Sequence, residues 1–343
     1  MPMTSAATHS SSAKPVRRRL RWAVVGLLLT TAAGTAYLLR DPEPVFDARR
    51  GSLVSVDTAA TVPDSTAREQ VVTLQSSTGL TVRLAVRTPH ERADSGAASA
   101  LATVKRPLFI VLGGHQRGMR AGALVGDPRG TIFASLEYPY EGDHKAKGLA
   151  VVAQIPAIRR AFYDTPPAVS LALDYLLARP DVDPARVELV GASFGAPFAT
   201  IAAARDSRVT RLWIAHGGGK PFRMIEHGLK RDIPIAPLRW PVAGLATLLA
   251  SGPRFAPERW IARVAPRPVV MLSATDDERI PRESVDALWD AMQAPRERVW
   301  LPGKHMQGDR PDVLRTLVDS VLTRAARVPL DAALAPASRA STP

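Results

Sequence analysis

Val187-Glu188-Leu189-Val190-Gly191-Ala192-Ser193-Phe194-Gly195-Ala196-Pro197-Phe198-Ala199-Thr200 joins a short apolar run to an alanine-rich run through Gly-x-Ser-x-Gly. The first part has the β-branched character of a buried strand, and Phe198 to Ala204 has the small-residue composition of a packed helix. A strand that turns directly into a helix brings the backbone too close for side chains at the two flanking positions, which glycine relieves. The serine between them is left in a strained conformation with its hydroxyl held up, the arrangement of a nucleophile elbow. Free backbone N–H groups at the start of the following helix favour the anion formed when such a serine attacks a carbonyl.

A serine hydroxyl is a weak nucleophile at neutral pH and needs a base, itself oriented by a carboxylate. Downstream, the apolar strand Val269 to Leu272 runs into Ser273-Ala274-Thr275-Asp276-Asp277-Glu278-Arg279-Ile280-Pro281. Strand Arg298 to Leu301 runs into Pro302-Gly303-Lys304-His305. Acids and a histidine therefore stand in turns at the carboxyl ends of strands, in the order serine, acid, histidine.

Upstream, Val71 to Leu74 and Thr81 to Val86 alternate as a hairpin around Ser76 to Gly79. The fully apolar strand Pro107 to Leu112 leads into Gly113-Gly114-His115-Gln116, and strand Thr131 to Ser135 leads into Tyr138-Pro139-Tyr140. A helical spacing over Val169, Leu171, Leu173, Leu176 and Leu177 ends at Arg179-Pro180. Continuous apolar strands alternating with helices indicate a parallel sheet covered on both faces.

With these parts assembled, the chain resembles the α/β-hydrolase superfamily of serine hydrolases from about Val71 to Ala326. The phrase Arg179 to Val187 is also similar to bacterial esterases of the dienelactone-hydrolase and acyl-peptidase-like branches. The resemblance implies an α/β-hydrolase fold, with a mostly parallel central sheet, helices on both faces and a small cap insertion at 216–265. It implies Ser193 as nucleophile, His305 as general base and then acid, and an aspartate holding the imidazole. In the family the acid stands four residues before a helix-opening proline, which at Pro281 selects Asp277, with Asp276 as the alternative. It implies an oxyanion hole from the Phe194 N–H and an N–H of the loop after the third strand. His115 is the candidate there, with Gln116 next; the family commonly has His-Gly where this chain has Gly113-Gly114.

The expected reaction is cleavage of a small-molecule or acyl ester through an acyl-enzyme, without cofactor. An exopeptidase or thioesterase would use the same three residues, and a catalytically silent binding protein could keep the fold. The apolar stretch Trp240 to Leu249 fits an acyl pocket, a lipid contact or a packed cap helix. Specificity lies in such segments rather than in the elbow.

Composition closes off other classes. There is no cysteine, which excludes disulfides, thiolate metal sites and a lipoprotein anchor. His115 and His144, near Glu141 and Asp143, match no zinc spacing. The net charge of +13 suggests nucleic acid until it is located. Residues 1–40 hold six basic side chains and no acid, leaving 39 basic against 32 acidic in the remainder, a net +7 scattered without interleaved aromatics. No nucleic-acid partner is expected.

Residues 1–21 read as a basic tail, and the uncharged run 22–39 follows Arg17-Arg18-Arg19-Leu20-Arg21. Eighteen residues at the helical rise span about 27 Å, close to the hydrocarbon thickness. Positive charge on the amino-terminal side predicts a cytoplasmic tail, with the catalytic domain on the extracytoplasmic side. The alternative is a cleaved signal sequence with a small-residue site at Gly34-Thr35-Ala36. Residues 40–66 read as a linker with a short strand at Leu53 to Val56, 67–327 as the hydrolase domain, and 328–343 as a tail without periodic pattern.

Overall fold

The computed structural model describes residues 40–60, 67–90, 104–114, 117–146, 148 and 150–327, with isolated positions between 18 and 36. Residues 1–41 and 42–343 form separate units. The predicted span 22–39 and the tail 328–343 lie largely or wholly outside the described residues. No helix among the described residues is long and apolar enough to cross a membrane.

The second unit is built on one nine-stranded sheet in the order β1-β2-β3-β5-β4-β6-β7-β8-β9. The strands are β1 (Leu53–Ala60), β2 (Ala67–Ser76), β3 (Thr81–Pro89), β4 (Arg106–Leu112), β5 (Ile132–Leu136), β6 (Val182–Ala192), β7 (Arg211–Ala215), β8 (Val269–Ala274) and β9 (Arg296–Leu301). β1 to β3 pair antiparallel with one another, and β3 pairs antiparallel with β5. From β5 to β9 every pairing is parallel.

The parallel strands are apolar throughout because both faces are covered. Alternation sorts their side chains. Leu108, Ile110, Leu189, Leu212, Ile214 and Met271 join the core on one face, and Phe109, Val111, Val190, Trp213, Val270 and Leu272 the core on the other. Glu188 falls in that second set; the Trp213 indole N–H donates to its Oε2 at 2.7 Å. Burial is the largest influence on this carboxyl and raises its pKa, against the pull of Arg211.

The first face carries α1 (Glu43–Arg50), α2 (Ile155–Leu176) and α3 (Ala196–Arg205). The second carries a 3-10 helix, Gly118–Val125, and the last helix. Two differences from the sequence reading stand out. Within the predicted linker 40–66, the described residues 43–60 form regular structure: α1 buries Phe46, and β1 runs to Ala60 as an edge strand. Helix α2 extends fourteen residues upstream of Val169, through Pro166 and Pro167. Two consecutive prolines remove amide donors and ordinarily end a helix, which hid its first half.

Between β7 and β8, the predicted cap region holds α4 (Pro221–Gly228), α5 (Ala236–Leu249) and several single turns. After β8 come α6 (Arg282–Ala291), β9 and the last helix, α7 (Pro311–Ala325).

Candidate active site

Parallel register aligns the carboxyl ends of the central strands. Leu112 pairs with Gly191, Ala192 with Ala215, Ala215 with Leu272, and Ala274 with Leu301. The residues just beyond these ends, Gly113, Ser193, His216, Asp277 and His305, therefore leave the sheet along one edge. This is where ligands bind in open α/β sheets.

Ser193 follows β6 directly and has φ +53°, left-handed backbone that a non-glycine residue adopts only under constraint. The flanking glycines show the constraint. A Cβ at Gly195 would stand 2.0 Å from the Leu112 carbonyl oxygen, and one at Gly191 would stand 2.6 Å from the Ala199 Cβ. Neither position admits a side chain.

The Ser193 hydroxyl lies 2.9 Å from His305 Nε2. On the other side of the ring, His305 Nδ1 lies 2.9 and 3.0 Å from the two carboxylate oxygens of Asp277. Nδ1–H therefore donates to Asp277, and Nε2 is left to accept the serine proton. Asp277 Oδ1 also accepts the backbone N–H groups of Arg279 and Ile280, both at 2.9 Å. Burial would raise the pKa of this carboxyl, but the His305 hydrogen bond and charge together with those two amides hold it below the usual carboxylate range. Asp276 instead accepts the hydroxyl of Thr275 at 2.9 Å and is exposed. The structure thus turns Asp277, not Asp276, towards His305.

Two residues that sequence reasoning passed over hold the histidine loop. Glu278 Oε2 accepts the His305 backbone N–H at 3.0 Å, while its Oε1 accepts Arg310 at 2.6 Å. Desolvation opposes its charge, yet these donors pull its pKa down to about 2. Arg310 also donates to the His305 carbonyl at 2.7 Å. His216 is fully buried, and its Nδ1 accepts the Met306 N–H at 3.0 Å. Its ring meets the His305 ring edge-on at 5.3 Å. Burial, then the neighbouring His305, pulls the His216 pKa down to about 4, so the ring is neutral at pH 7. The signal for His216 was its place one residue after a central strand; Glu278 stood in the acid turn with nothing to set its role, and nothing in the sequence marked Arg310.

Ligand atoms of His216, Asp277 and His305 lie within 4.8 Å of one another, a spacing compatible with a metal. Their lone pairs are already committed: Asp277 to His305 and two amides, His216 Nδ1 to Met306.

Phe194 follows the serine at the first turn, its ring against those of Tyr138, Phe162 and Phe198. The candidate oxyanion donors His115 and Gln116 lie outside the described residues. The loop that carries them is held at its start by Tyr138, whose hydroxyl donates to the Gly113 carbonyl at 2.5 Å. Burial pushes the pKa of that phenol up, which keeps it a donor.

A cavity of about 420 Å³ opens from Ser193 and His305 and runs between the sheet and α7. Its wall includes Val111, Phe133, Val190, Leu317, Val318 and Val321. None of its lining comes from 216–265. A larger polar cleft of about 590 Å³ shares no residue with it; Arg49 and Asp164 in its wall pair with each other, as do Arg160 and Glu141.

No family model matches the chain. The uncharacterized protein YfhR of Salmonella typhi is 29% identical over 136 residues, a match spanning 39% of this chain and 45% of that protein. The chain thus spans less than half the length of that curated relative. An acetyl xylan esterase from Paenibacillus sp. R4 superposes with a TM-score of 0.57 at 13% identity, covering 81% of this chain and 91% of its own. A cold-adapted esterase from an Arctic intertidal metagenomic library, bound to PEG, superposes with a TM-score of 0.52 at 17% identity, covering 79% and 99%. With its parallel sheet, its strand–serine–helix turn and these likenesses together, the chain has the α/β-hydrolase fold.

Proposed function

We propose that the protein is a carboxylic ester hydrolase that works through an acyl-enzyme. The observation that carries this reading is the unbroken line from Ser193 Oγ through the His305 ring to Asp277, each step at 2.9 Å. Ser193 Oγ bonds to the acyl carbon as its proton passes to His305 Nε2. The tetrahedral oxyanion is met by the Phe194 amide and by an N–H of the loop after β4, His115 being the candidate. The intermediate collapses, the ester C–O bond breaks, and the His305 proton goes to the departing alcohol. Water, deprotonated by the same imidazole, then attacks the acyl carbon and releases the acid and Ser193. The apolar cavity beside Ser193 suits the acyl portion of the ester.

The membrane placement belongs to the same proposal. Residues 22–39 hold the chain in the membrane with the hydrolase unit on the extracytoplasmic side, supported by the arginines at 17–19 and 21. Amino-terminal sequencing of the mature protein tests this, since a start near Tyr37 identifies a cleaved signal and removes the anchor.

The chemistry is tested by fluorophosphonate labelling of wild type, Ser193→Ala and His305→Ala, with turnover of p-nitrophenyl esters beside an aminoacyl nitroanilide. Labelling of wild type alone, with ester turnover, is the expected result. Faster nitroanilide than ester turnover would replace the esterase with a peptidase, and no labelling and no turnover would leave a binding protein.

A further inference from the structure

Helix α5 is folded with its polarity reversed. Its inward side carries Arg239, Ala243 and Thr247, all buried. Arg239 donates from Nε to buried Glu226 at 2.6 Å and from Nη1 to the carbonyls of Ile233 and Pro234 at 2.8 Å each. Thr247 returns its hydroxyl to the Ala243 carbonyl. Its outward side, with Ile235 just before it, carries Leu238, Trp240, Val242, Leu245 and Leu248, between 44% and 61% exposed. Between Ala236 and Leu249 the sole charged residue is Arg239, so the solvent-facing side has no charge over about 21 Å of helix. Contiguous apolar faces of this kind on a folded domain mark a contact surface.

We infer that α5 lies in the surface of a phospholipid bilayer, as a second membrane contact of the folded unit. Two observations select lipid as the occupant. The face is an exposed apolar helix side with an indole at its first turns, a form that inserts shallowly at the headgroup boundary. The exposed basic residues Lys230 and Arg231 lie just ahead of it, suited to lipid phosphates, and with Asp232 beside Arg231 this stretch keeps a net charge of +1.

The test separates the patch from the anchor. All nine strands and both cores lie within 42–343, so this unit is expressed alone and mixed with phosphatidylglycerol–phosphatidylcholine vesicles. It should co-sediment with them. A Leu238→Glu/Leu245→Glu double variant should lose at least about tenfold in partitioning, with unchanged circular dichroism and fluorophosphonate labelling. In the full chain, which has no native cysteine, Leu245→Cys carrying an environment-sensitive dye should shift to the blue in nanodiscs and be quenched by nitroxide lipids. Failure of 42–343 to bind vesicles, or a dye at position 245 quenched by aqueous iodide but not by nitroxide lipids, overturns the inference and leaves the anchor standing. Energy transfer between labelled copies without lipid quenching also overturns it, by assigning the face to self-association.

Discussion

At the residue scale, the roles of the two adjacent aspartates are separated by orientation alone. Asp277→Asn keeps an oxygen for the Arg279 and Ile280 amides but turns an NH2 donor to Nδ1, which holds the His305 ring in the wrong tautomer, and a loss of about 10³–10⁴-fold in ester turnover is expected. Asp276→Asn should remain near wild type, because its carboxylate meets the hydroxyl of Thr275 and not the imidazole. Steady-state kinetics on a p-nitrophenyl ester would decide this, and equal losses would sink the assignment. His216 makes a separate prediction for stability. Its pKa falls from an ordinary 6.5 to about 4 in the fold, so between those values the unfolded chain binds a proton that the native state does not. Stability must then rise with pH across that window and be lost as pH drops from 6.5 towards 4. His216→Asn keeps an acceptor for the Met306 N–H but cannot titrate. Its denaturation midpoint should therefore fall less than that of wild type between pH 7 and pH 5. An identical fall in both would show that His216 is not the group responsible.

At the element scale, α7 closes the cavity beside Ser193, and on the proposed reaction its side chains set how much acyl chain enters. Val318 is half-buried and lines the cavity, so Val318→Phe fills space without forcing a ring into the packed core. The variant should keep p-nitrophenyl acetate turnover while losing about tenfold or more in kcat/KM on the octanoate, since one or two excluded methylenes are worth that much. Equal loss on both esters would mean that the acyl chain lies elsewhere. The elements themselves were legible where a local signal and the tertiary demand coincide. Gly191 and Gly195 could be assigned a close approach from sequence because no other residue fits there, and the acid and histidine turns were marked by the apolar strands preceding them. The first half of α2 was not legible, because Pro166-Pro167 argues locally for a break that packing overrides. Its Asp164 is tied to Arg49, 115 residues away, a partnership with no local trace. The reversal of α5 was equally hidden: an uncharged apolar run looks the same whether its large side chains turn in or out.

At the scale of the molecule, the segment 42–60 is expected to be structural, and truncation can measure this. Helix α1 is held by ion pairs of Arg205 with Glu43 and Asp47, of Arg49 with Asp164 and of Arg50 with Asp174. Several of those side chains are partly exposed, where a pair contributes about 0–1 kcal/mol. Phe46 is different: it is 1% exposed and meets the rings of Tyr163, Phe255 and Trp260. Emptying such a site costs about 3–5 kcal/mol, so Phe46→Ala should lower the stability of 42–343 by that amount, more than charge removal at Glu43 or Asp47. Removing residues 42–66 altogether takes away Phe46 and also β1, exposing the paired edge of β2 and the aromatic pocket together. The 42–343 chain should unfold in one cooperative denaturant transition, whereas 67–343 should bind a hydrophobic dye and lose that cooperativity. If 67–343 unfolded cooperatively at the same midpoint, α1 and β1 would be ornaments on a self-sufficient sheet, and residues 40–66 would be the linker that their composition suggests.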